Sequence, residues 1–179
     1  MLRIAGIVVA VLVAGVLVVL LLAARRPDTF QVKRSATINA PADKIYPLVA
    51  DFRRWPQWSP YETRDPNMKR SYGATSSGKG ATYGWDGDSN VGAGRMEIVE
   101  ANAPGKVSLK LDFNRPFEAH NIVDFTFVPQ GEATVVTWDM HGPTPFFAKI
   151  VHLFIDMDKM VGGDMEAGLA KLKSATETK

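Results

Sequence analysis

The chain has 179 residues, 46% of them hydrophobic and 22% charged, with Lys+Arg 21 against Asp+Glu 19 and no cysteine. A net charge of +2 gives no electrostatic footprint for nucleic acid, and the missing thiols remove disulfides, thiolate nucleophiles and cysteine-based metal sites together. Setting aside a hydrophobic N-terminus leaves about 150 residues, enough for one domain with its own core.

Ile4 to Ala24 (IAGIVVAVLVAGVLVVLLLAA) carries no charged side chain. A helix of that length spans about 30 Å, the thickness of a bilayer hydrocarbon core. A secretory signal has a shorter apolar region, about 7–15 residues. Ala24 stands where a cleavage point would, but Leu22 is too large for the position two places before it and Arg25-Arg26 follow at once. The expectation is a retained single-pass anchor over residues 1–26, a linker over 27–29 and a domain over 30–176. Arg25, Arg26, Lys33 and Arg34 outnumber Arg3 plus the amino terminus, which by the positive-inside rule favours a cytoplasmic domain.

Phe30 to Ile38 alternates apolar and polar residues, as a half-buried strand does. Asn39-Ala-Pro41 then opens a helix with Pro41 at its tolerated first position. Ile45, Leu48, Val49 and Phe52 give that helix its apolar face, and Pro47 is expected to end or kink it early. The segment Arg53 to Tyr61 is a proline-broken turn holding Trp55 and Trp58, read as a second short helix.

From Met68 the period becomes two. Strands are expected at Lys69–Tyr72, Ala81–Asp86, Gly94–Ala101, Lys106–Phe113, Ala119–Val128 and Ala133–Met140, separated by Gly and Pro punctuation. Alternation turns inward Tyr83, Trp85, Met96, Ile98, Val107, Leu109, Leu111, Phe113, Asn121, Val123, Phe125, Phe127, Val136, Trp138 and Met140. One long helix is expected from Pro145 to about Ser174, with Ile150, Phe154, Met157, Val161, Met165, Leu169 and Leu172 along one face. Met157, Met160 and Met165 with Gly162, Gly163 and Gly168 favour a helix that walls a hollow over one that fills a plain core, since thioethers adapt to irregular contents. The fold class is α+β: a curved antiparallel meander wrapped around the C-terminal helix.

Strand, Asn39-Ala-Pro41, helix, Trp55-Pro-Gln-Trp-Ser-Pro60, meander and long terminal helix resemble the START-related, birch-pollen-allergen-like superfamily, also called SRPBCC. Gly94-Arg-Met-Glu-Ile, Phe125-Thr-Phe-Val-Pro, Thr134-Val-Val-Thr-Trp138 and Asp156-Met-Asp-Lys-Met160 are similar to phrases of its bacterial polyketide cyclase/dehydrase and lipid-transport family. The resemblance covers about Phe30 to Lys173. It implies a helix-grip fold with a cavity for a hydrophobic ligand and, in a minority of members, cyclisation or dehydration of polyketides. With the N-terminal anchor, it implies a protein of the bacterial inner membrane.

Other motifs carry little. Gly73-Ala-Thr-Ser-Ser-Gly78-Lys79 follows a P-loop until Gly80 replaces the magnesium-binding hydroxyl, and a strand pattern follows where a helix is required. It reads as a hairpin loop. Asp86, Asp88, Asn90 and Glu97 copy the spacing of a calcium loop, but Val91 stands where the sharp turn needs Gly. Of the histidines, His120 takes outward parity, His141 ends a strand, and His152 with Asp156 forms an i, i+4 surface pair. Neither metal nor cofactor is expected.

Cavity lining is therefore assigned to Tyr83, Trp85, Met96, Leu109, Leu111, Asn121, Val123, Phe125, Trp138, Met140, Phe154, Met157 and Val161. Asn121, Tyr83, Trp85 and Trp138 are polar handles in an apolar pocket, the usual makeup of a small-ligand site; the plain alternative is that they bond to backbone or water. Trp55 and Trp58 fall near the expected mouth, as packing or as an entry gate. Three functions follow. The first is a membrane-anchored binding module for a hydrophobic small molecule or lipid. The second is a cyclase/dehydrase using Asn121 or Tyr83, disfavoured because no inward His, Asp or Glu can be assigned for acid–base work. The third is an interaction or chaperone-like domain, which requires a filled core and an exposed apolar patch.

Overall fold

The computed structural model describes residues 2–178. Met1, Lys179 and the side chains of Leu2 and Arg3 lie outside it, so the charge tally at the amino terminus rests on sequence alone. The first helix, α1, covers Leu2–Ala24. Its stretch Ile4–Ala24 has a mean hydropathy of 3.3 and is long and apolar enough to cross a membrane; the rest of the protein covers it only near its end, where Ala23 is buried.

Seven strands form one antiparallel sheet: β1 Thr29–Ile38, β2 Lys69–Tyr72, β3 Thr82–Asp86, β4 Ala93–Asn102, β5 Lys106–Arg115, β6 Ala119–Gln130 and β7 Ala133–Pro143. Their order is β1-β7-β6-β5-β4-β3-β2, a meander whose first strand closes against its last. The burial of β6 and β7 alternates residue by residue, as the two-residue period of their apolar side chains requires. The loop Gly73 to Ala81 joins β2 to β3, with Gly78 and Gly80 at positive φ, so the P-loop-like stretch is a hairpin connection.

Helix α2 spans Ala42–Ala50 and is followed by 3-10 turns at Phe52–Gln57 and Pro60–Thr63. Pro47 lies inside α2 and does not end it. The bond it forfeits is the one to the carbonyl four residues back, at Asp43 in the first turn. The end of α2 leaves carbonyls that need donors. Trp55 Nε1 donates to the Val49 carbonyl at 2.9 Å, Trp58 Nε1 to that of Leu48 at 2.8 Å, and the Gly78 amide to that of Ala50 at 2.9 Å. Both tryptophans are buried. They cap α2 from within the core, and neither stands at a mouth or gate.

The expected single C-terminal helix is divided. A short α3 covers Phe146–Val151 and α4 covers Met157–Glu177. Asp156 is extended, and its side chain accepts from the Lys159 amide at 3.0 Å, so it caps a new helix. His152 and Asp156 are thus no helical pair; the His152 ring meets Phe30 edge-on at 6.3 Å. Phe154, expected to face inward, is 75% exposed in the turn between α3 and α4.

Val161, Met165, Leu169 and Leu172 seat α4 on the sheet. Arg34, at inward parity on β1, clamps it there. Its Nε donates to Glu166 at 2.7 Å, and Nη1 and Nη2 donate to the two Asp158 oxygens at 3.0 and 2.8 Å. These bonds, first to Asp158 and then to Glu166, hold the guanidinium above its ordinary pKa. Gly162 lies against it, where any side chain would overlap the guanidinium.

A second polar pin fixes the Pro60–Thr63 turn to β2 and β3. Glu62 is buried; its Oε1 accepts from the Tyr83 hydroxyl at 2.6 Å and its Oε2 from Arg70 Nε at 2.6 Å. Arg70 Nη2 also donates to the Glu62 carbonyl at 2.9 Å. Burial, then the hydrogen bond to Glu62, raises the Tyr83 pKa well above the phenol range.

Two outcomes follow for urea unfolding of the full chain in detergent micelles. Trp58→Ala empties a fully buried site and strips the Leu48 carbonyl of its donor, with an expected cost of about 3–5 kcal/mol. Tyr83→Phe removes one donor from a buried carboxylate and costs about 1.5–3 kcal/mol. Below about pH 10 the Tyr83 phenol is protonated in both folded and unfolded chain. Above that the unfolded chain ionises first, so stability falls as pH rises toward the raised folded value. Tyr83→Phe is therefore less stable near neutrality but loses less as pH rises above about 10.

Candidate ligand-binding interior

The register of the strands arranges the inner face in rows. One row runs Tyr83, Met96, Leu111, Asn121 across β3 to β6. The next runs Ile98, Leu109, Val123, Met140, Val32 from β4 to β1. A third holds Val107, Phe125, Trp138 and Arg34. Helix α4 packs on β1 and β7, at one side of these rows.

The rows differ in how they are filled. Around the third, aromatic rings meet: Trp58 with Phe125 at 5.9 Å, Trp58 with Trp138 at 5.6 Å and Phe125 with Trp138 at 5.0 Å between centroids. On α4, Gly168 faces them, and a Cβ there would come within 2.8 Å of the Trp138 ring and 3.1 Å of Pro60. This end is closed by close packing. Toward the end where β1 begins and β7 finishes, Tyr83 and Phe30 flank the thioether and aliphatic side chains of Met96 and Leu111, and Phe30, Leu111 and Met157 are only half-buried. There the Asn121 amide lies over Gly142, where a side chain would overlap it.

Of the residues assigned to the lining, Tyr83, Met96, Leu109, Asn121, Val123, Phe125, Trp138, Met140 and Val161 are buried, while Trp85, Leu111 and Met157 are half-buried. Phe154 stands apart in solvent, because the Asp156 cap breaks the helix that would have turned it inward. Two clefts of the described surface lie away from the space between α4 and the sheet. One, of about 490 Å³, runs from Pro56 and Ser59 to Lys171 and Ser174; the other, of about 300 Å³, lies beside Ser71, Gly84 and Arg95.

The polar groups of the interior have unequal standing. Trp85 Nε1 donates to the Val91 carbonyl at 2.9 Å, the backbone satisfaction expected of a buried indole. Trp138 Nε1 is buried and finds no acceptor among the described residues. Glu62 is the inward carboxylate that sequence reasoning missed. It lies in a proline-bounded turn with no periodicity to show its direction. Both its oxygens are taken, by Tyr83 and Arg70, and the raised Tyr83 pKa makes that phenol a poor proton donor at neutral pH. His120 is hydrogen-bonded to Asp112 on the outer surface, which raises its pKa. Among the described residues no group of three His, Cys, Asp or Glu side chains is placed to hold a metal.

The chain's residues 29–177 match the family described as polyketide cyclase/dehydrase and lipid transport. No curated protein matches by sequence. Among solved structures, major latex-like protein 151 of Panax ginseng is similar at 12% identity and TM-score 0.61, covering 84% of this chain and 99% of its own. A protein of unknown function from Staphylococcus aureus, SA2116, is similar at 10% identity and TM-score 0.62, covering 84% and 94%. Protein MLL2253 of Mesorhizobium loti is similar at 15% identity and TM-score 0.60, covering 84% and 98%. At these identities the structures speak to the fold alone, which is the birch-pollen-allergen-like helix grip. The family match spans nearly all of the chain beyond α1, and the chain belongs to the polyketide cyclase/dehydrase and lipid transport family.

Proposed function

We propose that the protein is a membrane-anchored binding module for a hydrophobic small molecule or lipid, held between α4 and the inner face of β4 to β7. The observation that carries this reading is the Trp138 indole N–H, buried in an apolar interior without an acceptor. Buried donors are almost always paired, so an unpaired one on the inner face is a place for a ligand oxygen. Asn121 supplies a second polar handle. It lies four residues along β6 from Phe125, the cross-strand partner of Trp138, so about 13 Å of strand separates the two rows. Between them lies the apolar row Ile98, Leu109, Val123, Met140 and Val32. An elongated amphiphile fits that alternation of polar, apolar and polar.

Entry of such a molecule displaces α4 or repacks Met140, Met157 and Met165, whose unbranched side chains adapt at low cost. The apolar stretch Ile4–Ala24 of α1, largely uncovered by the domain, supports anchoring in a bilayer, and the excess of Arg and Lys after it favours a cytoplasmic domain. The cyclase/dehydrase alternative loses ground, because Tyr83 is pinned to Glu62 and Asn121 has no proton to exchange near neutral pH.

The test is native mass spectrometry with lipid extraction on the full chain purified in nanodiscs, followed by titration with a fluorescent fatty-acid probe. A co-purifying hydrophobic molecule that the probe displaces is the expected result. Trp138→Phe then keeps the fold and weakens probe binding about five- to tenfold, the worth of one hydrogen bond. An empty protein that does not bind the probe overturns the reading.

A further inference from the structure

Large apolar side chains rarely stand in solvent together without a partner. Phe117 is 63% exposed, Phe146 48%, Phe147 60%, Phe154 75% and Ile155 42%. They come from the β5–β6 turn, from α3 and from the turn between α3 and α4, yet they share one end of the molecule. Phe117 and Phe147 meet across two of these segments, with ring centroids 5.7 Å apart.

That end is also where α1 leaves the domain. Only Arg25 to Asp28 separate α1 from β1, at most about 14 Å of extended chain. The linker is fixed to α3: Lys149 Nζ lies 2.5 Å from Asp28 Oδ1, and the Thr144 amide donates to the Asp28 carbonyl at 2.6 Å. Helix α1 itself packs on α3, where Ala23 is fully buried. A patch held this close to the end of a spanning helix meets the surface of the bilayer that helix crosses.

The composition suits that contact. Aromatic rings concentrate at membrane–water interfaces, and the exposed Arg25 and Arg26 at the helix exit complement anionic headgroups. We infer that Phe117, Phe146, Phe147, Phe154 and Ile155 dock the α3 end of the domain onto the surface of its own bilayer, with the aromatic rings among the headgroups and upper acyl chains. This rests on the reading of α1 as a bilayer anchor. It goes beyond that reading by fixing the domain's orientation, with the half-buried Leu111 and Met157 end turned toward the lipid.

The absence of cysteine allows single labels on the full chain. Leu12→Cys, Phe117→Cys, Phe154→Cys, Lys33→Cys and Glu132→Cys each receive an environment-sensitive fluorophore. The proteins are reconstituted in vesicles of phosphatidylcholine and phosphatidylglycerol, with and without phosphatidylcholine carrying a nitroxide high on its acyl chain. Lys33 lies near α1 but on the outer face of β1, so it reports tethering without docking. Glu132 lies in the turn between β6 and β7, beyond the far end of β1, about 30 Å away.

The expected result is that the nitroxide removes about half the fluorescence or more at 12, 117 and 154, with little change at 33 and 132. Quenching at 12 without quenching at 117 and 154 overturns docking and leaves the anchor standing. No quenching at 12 overturns the anchor and, with it, the docking. Labels at 117 and 154 that escape the nitroxide but transfer energy between protein molecules overturn lipid as the occupant and assign the patch to a second copy of the chain.

Discussion

The position of α4 against β1 sets everything inside the domain, and the Arg34 fork sets that position. Arg34 reaches Asp158 and Glu166 on either side of Gly162, spanning two turns of α4. A planar guanidinium with several donors can hold two carboxylates at fixed angles, which an ammonium cannot do. Gly162 is the condition for this geometry, since a methyl group there would overlap the guanidinium. With the helix held at this depth, Gly168 further along must also be small, because the Trp138 ring occupies the space its Cβ would need. One polar clamp and two missing side chains thereby set the gap between helix and sheet.

The contents of the gap follow from the same spacing. Where α4 comes closest, Trp58, Phe125 and Trp138 fill the layer and the interior is closed. Nearer α3 the helix has ended, the break at His152 to Asp156 removes its next turn, and the sheet is covered by Met157 and a half-exposed edge. Polar demand is distributed to match. At the closed end the tryptophans spend their N–H groups on the α2 carbonyls, leaving Trp138 as the indole without a partner. A filled core and an exposed apolar patch are also what an interaction domain would show. The patch, however, adjoins α1 and is tied to its linker through Lys149 and Asp28, which argues for lipid over a soluble partner.

The sheet was legible in the sequence because a two-residue period leaves little freedom once one face is apolar. Asn121, Val123, Phe125 and Phe127 had to share a side, and they do. The terminal helix was legible in composition but not in continuity. The apolar spacing from Ile150 through Phe154 to Val161 reads as one stripe, while Asp156 carries an equally strong signal as a cap, and local capping prevailed. Glu62 and Arg34 were hidden for different reasons. Glu62 lies in a proline-bounded turn where no period gives direction, and its burial depends on Arg70, eight residues on, and Tyr83, 21 residues on, which meet it only once β2 and β3 pair. Arg34 counted in the sequence as a charge following the apolar helix, yet it shares the parity of Phe30, Val32 and Ile38 on β1 and so faces α4, whose carboxylates satisfy it.

These placements give the domain a direction. The row with Asn121, in which Leu111 is half-buried, lies at the end that carries α3, and Trp138, unpartnered among the described residues, lies beyond an apolar row. A molecule arriving from solvent would have to cross water to reach that end. Under the proposed anchoring, one arriving from the bilayer would not, because the linker holds α3 against the end of α1. The free-energy cost of moving an apolar molecule through water scales with the area it exposes, so a site facing the lipid gains most for long, poorly soluble ligands. On the proposed reading of α1 as a bilayer anchor, the apolar helix, the aromatic patch and the interior form one arrangement: each shortens the path between a bilayer and a buried hydrogen-bond donor.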